Sequence, residues 1–216
     1  MTDIRVAIVD DQELVRMGLR MMLDAQPDIE VVAEASDGHE ALRIAAAGDI
    51  DVILMDVRMP GLDGIAATEQ IAAHDDAPRI LVLTTFDLDE YAFAALRAGA
   101  SGFLLKDARP PELLGAIRAV HSGDAALAPR VTARMIEQFV EAPAPADETR
   151  LKVLTPRERE ILVAIGEGMT NDELAVHFFL SISTVKTHIS RLLQKLGARD
   201  RVQLVILAYE SGLVGR

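Results

Sequence analysis

VILMD (residues 52–56) decides the fold: four apolar side chains in succession, then a carboxylate. An apolar run without alternation is the pattern of a strand buried on both faces of a parallel sheet. IRVAIV (4–9) repeats it and is followed by Asp10 and Asp11. ILVLT (80–84) repeats it again and ends on a hydroxyl. Residues 30–35 and 102–105 complete five strand candidates. Helical stretches follow each of them, at 13–23, 38–47, 64–73, 90–98 and 111–121. In the first, Leu14, Met17, Leu19, Met21 and Leu23 set a roughly helical repeat. Strict alternation of strand and helix predicts an α/β domain, with right-handed crossovers around a five-stranded, doubly wound parallel sheet.

In such a sheet, ligands bind beyond the carboxyl ends of the strands. Asp10 and Asp11 end the first strand, Asp56 the third and Thr84 the fourth, and Lys106 follows the fifth. Three carboxylates on one edge repel one another and call for a cation, and hard oxygen donors suit Mg2+. A carboxylate beside Mg2+ can attack phosphorus, because aspartyl phosphates are covalent intermediates. Lys106 and the Thr84 hydroxyl can hold phosphoryl oxygens by charge and hydrogen bond. A single Asp after a strand is commonly a turn or a helix cap, and Asp11 stands where it could cap the helix at 13. Five suitable groups at four strand ends favour a site.

The second half differs. Residues 1–150 hold 13 Lys and Arg against 27 Asp and Glu, whereas 151–216 hold 9 against 7. The formal net charge of −12 therefore hides an acidic half and a near-neutral one. A helix-forming stretch at 131–141 and the proline–alanine stretch APAPADETR (142–150) separate them, which predicts a linker. Boundaries follow at 1–125, 126–150 and 151–216. The last segment reads as four helices, at 156–167, 171–178, 183–196 and 200–210. Thr155, Pro156 and Glu158 form a capping box at the first, and Ser181 or Ser183 caps the third. Between Ser183 and Arg199 lie Lys186, Arg191, Lys195 and Arg199 with no acid. Such a helix, preceded by a short helix and a turn, suits the major groove of DNA.

There is no cysteine, which excludes a disulfide scaffold and thiol chemistry. No apolar run approaches the roughly 20 residues of a membrane span. The sequence opens MTDIRVAIVDDQ, acidic within twelve residues, unlike a signal peptide. A cytoplasmic protein without a membrane partner is expected. No Gly-rich phosphate loop or nucleophile-elbow motif occurs, and the five histidines lack metal-ligand spacing.

VDDQELVRMGL, VILMDVRMPGLDG, VLTTFD and GASGFLLKD closely resemble the receiver domain of two-component response regulators. The resemblance implies a flavodoxin-like receiver whose Asp56 accepts phosphate from a sensor histidine kinase. It implies Mg2+ held by Asp10, Asp11, Asp56 and the backbone carbonyl of Arg58. It further implies that Lys106 is the phosphate-pairing lysine and that Thr84 and Phe103 are the switch pair. Pro60 and Gly64 match loop positions, where fixed and permissive φ account for them. LTPREREILVAIGEGMTNDELA, LSISTVKTHISRLLQKLGARDR and VQLVILAYESGLV resemble the LuxR-type helix-turn-helix, an all-α four-helix domain. Together they point to the NarL/FixJ subfamily. By position, Lys186, Thr187 and Ser190 would face bases, while Ser183, Thr184, His188, Arg191 and Lys195 would meet phosphates. Val202, Val205 and Ile206 would lie on a dimerisation helix. Departures from the family are Val176-His177, where a polar pair is usual, and Ile182 in the turn.

The expected function is a phosphorylation-controlled transcriptional regulator, not an enzyme beyond its own phosphorylation and dephosphorylation. It would bind double-stranded DNA as a homodimer. Two rivals are a Mg2+-dependent phosphohydrolase, which needs a second catalytic acid where Arg58 stands, and an unphosphorylated receiver used only to dimerise.

Overall fold

The computed structural model describes residues 3–74, 76–84, 88–123, 126–127 and 150–214. The chain divides into two compact units, Met1–Val131 and Thr132–Arg216.

In the first unit, elements alternate in the order β1 (Ile4–Val9), α1 (Glu13–Leu23), β2 (Ile29–Ala35), α2 (Gly38–Ala46), β3 (Val52–Asp56), α3 (Gly64–Ala72), β4 (Arg79–Thr84), α4 (Leu88–Arg97), β5 (Gly102–Leu105), α5 (Pro110–His121) and β6 (Ala126–Leu127). The strands pair in parallel in the order β2-β1-β3-β4-β5-β6. The order reverses between β1 and β3, so their carboxyl ends frame the crevice in which ligands bind. The three central strands are almost wholly buried, as their unbroken apolar runs require. Ile8, Leu54, Leu81 and Ile117 build one core layer.

Two features depart from the sequence reading. First, β6 extends the sheet beside β5, pairing Ala126 with Gly102 and Leu127 with Phe103. The first residues of the expected linker thus belong to the sheet, and a two-residue strand has no periodicity to read. Second, α1 turns Leu14, Met17 and Met21 to solvent, and only Leu23 on it is fully buried. Its apolar residues exceed what one face can cover. The expected helix at 131–141 and most of the proline–alanine stretch lie outside the described residues.

The described residues of the second unit run from a 3-10 turn (Arg150–Val153) through α6 (Pro156–Gly166), α7 (Asn171–Phe178), α8 (Ile182–Leu196) and α9 (Arg201–Glu210). Local chemistry sets each start. Thr155 and Glu158 close the expected capping box on α6, and Thr170 and Glu173 make a second on α7. Ser181 caps α8 and Asp200 caps α9. Gly197 ends α8 in the left-handed region, φ 63°, where glycine carries no steric penalty. Among the described residues, no helix is long and apolar enough to cross a membrane.

Candidate functional site

At the carboxyl edge of the sheet, the ammonium of Lys106 sits 2.5 Å from Asp10 Oδ2 and 2.9 Å from Asp56 Oδ2. Asp10 and Asp56 are 1% and 5% exposed, so a single cation balances two carboxylates removed from water. Sheet register places them. Val9, the residue before Asp10, pairs with Met55, the residue before Asp56. The Lys106 amide donates to the Thr84 carbonyl at 2.8 Å, carrying the β4–β5 pairing one residue past β5.

Burial raises the Asp56 pKa above the usual carboxylate range, and the hydrogen bond and charge of Lys106 offset only part of it. Burial acts on Lys106 in the opposite sense, but its bonds to Asp10 and Asp56 prevail and the ammonium is held more tightly than usual. The pair is thus tuned by a dry edge together with mutual attraction.

Asp10, Asp11 and Asp56 each offer an oxygen, and these atoms lie within 4.8 Å of one another. Asp11 is exposed and does not cap α1, whose N-cap is Gln12 without a side-chain bond. Asp10 Oδ1 accepts from the Gln12 amide at 2.9 Å. Its Oδ2 faces the Lys106 ammonium. Three carboxylate oxygens this close match what a hard divalent cation requires.

The loop after Asp56 is held by glycines for reasons of space. A Cβ on Gly64 would collide with the Asp56 carbonyl, and one on Gly38 with the Leu62 carbonyl. The Gly64 amide donates to Val57 O at 2.9 Å. Close backbone approach therefore explains Gly64, in place of the permissive φ expected from sequence. Arg58, exposed in this loop, donates through Nη2 to Tyr91 Oη at 2.8 Å and lies over that ring. Sequence reasoning missed this contact, which spans 33 residues. Thr84 and Phe103 are buried on neighbouring strands. Thr84 lies two residues beyond Val82, the partner of Phe103, so the two side chains share a face of the sheet.

In the second unit, α8 buries Val185, Ile189, Leu192 and Leu196. It presents Ser183, Lys186, Thr187, Ser190 and Arg191 to solvent, with Thr184 and His188 half-buried. Lys195, expected to meet a phosphate, has a partner within the unit. Its ammonium pairs at 2.7 Å with Glu158 Oε2, a buried carboxylate that also closes the Thr155 box. Val202, Val205 and Ile206, expected on a dimerisation helix or in the core, are interior side chains. A helix that is apolar on nearly every side buries all of them.

The hydrogen bond from Lys195, aided by the Thr155 amide, brings Glu158 down to about 2 from 4.5. A carboxylate with a depressed folded-state pKa stabilises above its unfolded value, and that contribution disappears as pH falls through the folded one. The stability of the parent chain to urea is therefore expected to fall as the pH drops from 4.5 to about 2, in a way that Glu158→Gln does not share. At neutral pH, a double-mutant cycle with Lys195→Met should return a coupling of about 1 kcal/mol, because the Lys195 side chain remains about a third exposed. Identical pH profiles would contradict this assignment.

The chain matches two family descriptions: "Response regulator receiver domain" over residues 6–118 and "Bacterial regulatory proteins, luxR family" over residues 152–208. It is 45% identical over 213 residues to the transcriptional regulatory protein LiaR of Bacillus subtilis (strain 168), covering 98% of this chain and 99% of that protein. It is 44% identical to the uncharacterized transcriptional regulatory protein YxjL of the same organism, with 98% and 97% covered. Among solved structures, the response regulator ChrA of a heme-sensing two-component system aligns over 99% of this chain and 100% of its own. Its identity is 41% and its TM-score 0.55. A complex of the response regulator RcsB with DNA aligns over 97% and 99%, at 25% identity and TM-score 0.58.

Proposed function

The chain belongs to the response regulators that join a receiver domain to a LuxR-type DNA-binding domain, and we propose that phosphorylation of Asp56 switches its grip on DNA. It is a transcriptional regulator rather than a classical enzyme. The observation that carries the proposal is Lys106 bridging buried Asp10 and Asp56 beside exposed Asp11.

A carboxylate oxygen of Asp56 attacks the phosphorus of a phosphohistidine on a sensor kinase. The phosphorus–nitrogen bond breaks, and an acyl phosphate forms. Lys106, already between the two carboxylates, turns to the transferred oxygens by charge and hydrogen bond. Asp10, Asp11, Asp56 and the Arg58 carbonyl would hold Mg2+, which when bound neutralises charge on the phosphoryl oxygens. Thr84 can donate to the same oxygens, and its movement would be felt at Phe103 on the shared face. Differential interaction of the phosphorylated site with the two arrangements then shifts their populations.

The output is double-stranded DNA read by α8, with Lys186, Thr187 and Ser190 toward bases and Ser183, Thr184, His188 and Arg191 toward phosphates. A homodimer would suit two half-sites related by an approximate two-fold axis. We assign the protein to the cytoplasm, where its DNA target lies. The three-part division into receiver, linker and DNA-binding domain at 1–125, 126–150 and 151–216 belongs to the same proposal. Support comes from the exposed, carboxylate-free face of α8.

With acetyl phosphate and Mg2+, the parent chain is expected to gain one phosphoryl group, resolved by intact-mass measurement, and Asp56→Asn none. Equal labelling of both, or turnover of a phosphate ester without a stable phosphoprotein, would sink the assignment of Asp56.

A further inference from the structure

The geometry points to Ile182 as a base-reading residue that takes the 5-methyl group of thymine. The inference rests on the reading of α8 as the helix that enters the major groove.

Ile182 is the first residue of α8, immediately after the Ser181 cap. In sequence it falls in the turn, but the structure places it on the helix. It is 39% exposed although large and apolar. Residues at the start of a recognition helix are those that reach base edges. Spacing of four puts Ile182, Lys186 and Ser190 in one row along the helix surface, so Ile182 continues the row of the proposed base readers toward the helix start.

The hydroxyls around it are engaged within the helix. Ser181 Oγ lies 2.8 Å from both Ser183 Oγ and Thr184 Oγ1, and it accepts from the Thr184 amide. Thr187 Oγ1 donates to the Ser183 carbonyl at 2.9 Å. Lys186 has no carboxylate partner among the described residues. Beside the hydroxyls of Ser183 and Thr187, the first two turns therefore offer a groove the Lys186 ammonium and the bare apolar side chain of Ile182. In the major groove, cations find guanine acceptors, and the apolar feature of a base edge is the thymine methyl. A β-branched side chain there gains nothing from helix propensity, and half-exposed it adds little to the core. Contact with that methyl gives it a role.

The test uses the full-length protein, phosphorylated with acetyl phosphate and Mg2+, and duplex DNA selected by it from a random pool. Each thymine of the selected site is replaced singly by deoxyuridine, which removes only the methyl. The parent chain should lose about fourfold in affinity at one thymine of each half-site, the worth of one methyl withdrawn from water. Ile182→Ala should bind the same whether that base is thymine or deoxyuridine. The inference is overturned if no single replacement weakens the parent chain, or if Ile182→Ala keeps the full penalty. A Lys186→Ala arm separates the two levels: loss of discrimination at a different base pair keeps the reading of α8 intact even where Ile182 fails. A pool that yields no preferred sequence removes both.

Discussion

Lys106→Ala is expected to lower the stability of the first unit by about 3 kcal/mol in metal-free buffer and to recover much of that loss when Mg2+ is added. The Lys106 ammonium is the cation shared by Asp10 and Asp56, and both carboxylates are nearly out of water. Removing one partner of a buried ion pair leaves the other charge uncompensated, and the cost follows from that rather than from the lost attraction. Here two charges are left, and they repel each other. A divalent cation among Asp10, Asp11 and Asp56 replaces the missing charge, and binding to the folded state alone stabilises it by mass action. Urea unfolding of the parent and variant with and without Mg2+ checks both parts. A variant as stable as the parent in metal-free buffer, or one indifferent to Mg2+, would show that the edge does not work as a charge-balanced cation site.

Gly64→Ala should cost the first unit about 3 kcal/mol, the upper end of what forced overpacking brings. It should also slow phosphoryl acceptance at Asp56. The added methyl meets the backbone of Asp56, which cannot rotate aside as a side-chain tip can. The loop must move, and the phosphoacceptor moves with it. Gly115→Ala is the control. Gly115 lies within α5 with open space at its Cβ position, and alanine in a helix interior should stabilise by about 0.5–1 kcal/mol. Thermal melts of the two variants should therefore move in opposite directions. A Gly64→Ala protein that melts with the parent and accepts phosphate at the parent's rate would remove close packing as the reason for that glycine.

Much of the site was legible because a parallel sheet delivers the ends of non-adjacent segments to one edge. Asp10, Asp56, Thr84 and Lys106 each end or follow an apolar run, and alternation with helices leaves few other places for them. Asp11 could be read as a cap or a ligand, and only the backbone around Gln12 removes the cap. Contacts that join distant parts of the chain were not legible. The Lys195–Glu158 pair spans 37 residues, and each side chain has a local reading of its own: Lys195 as one charge on a basic helix, Glu158 as the partner of Thr155. The interior place of Val202, Val205 and Ile206 was hidden for a related reason. Apolar residues on every side of α9 do not say whether their cover comes from the same chain or from a second copy. β6 was invisible because two residues carry no period.

The account's central claim is that phosphate on Asp56 controls the DNA-binding helix. It is tested most directly by the affinity of the full-length protein for its selected duplex, measured with and without acetyl phosphate and Mg2+, for the parent chain and Asp56→Asn. The account predicts tighter binding by the parent chain when phosphorylated and no response from Asp56→Asn. Equal affinity of the parent chain in both conditions, or the same response from Asp56→Asn, would contradict it.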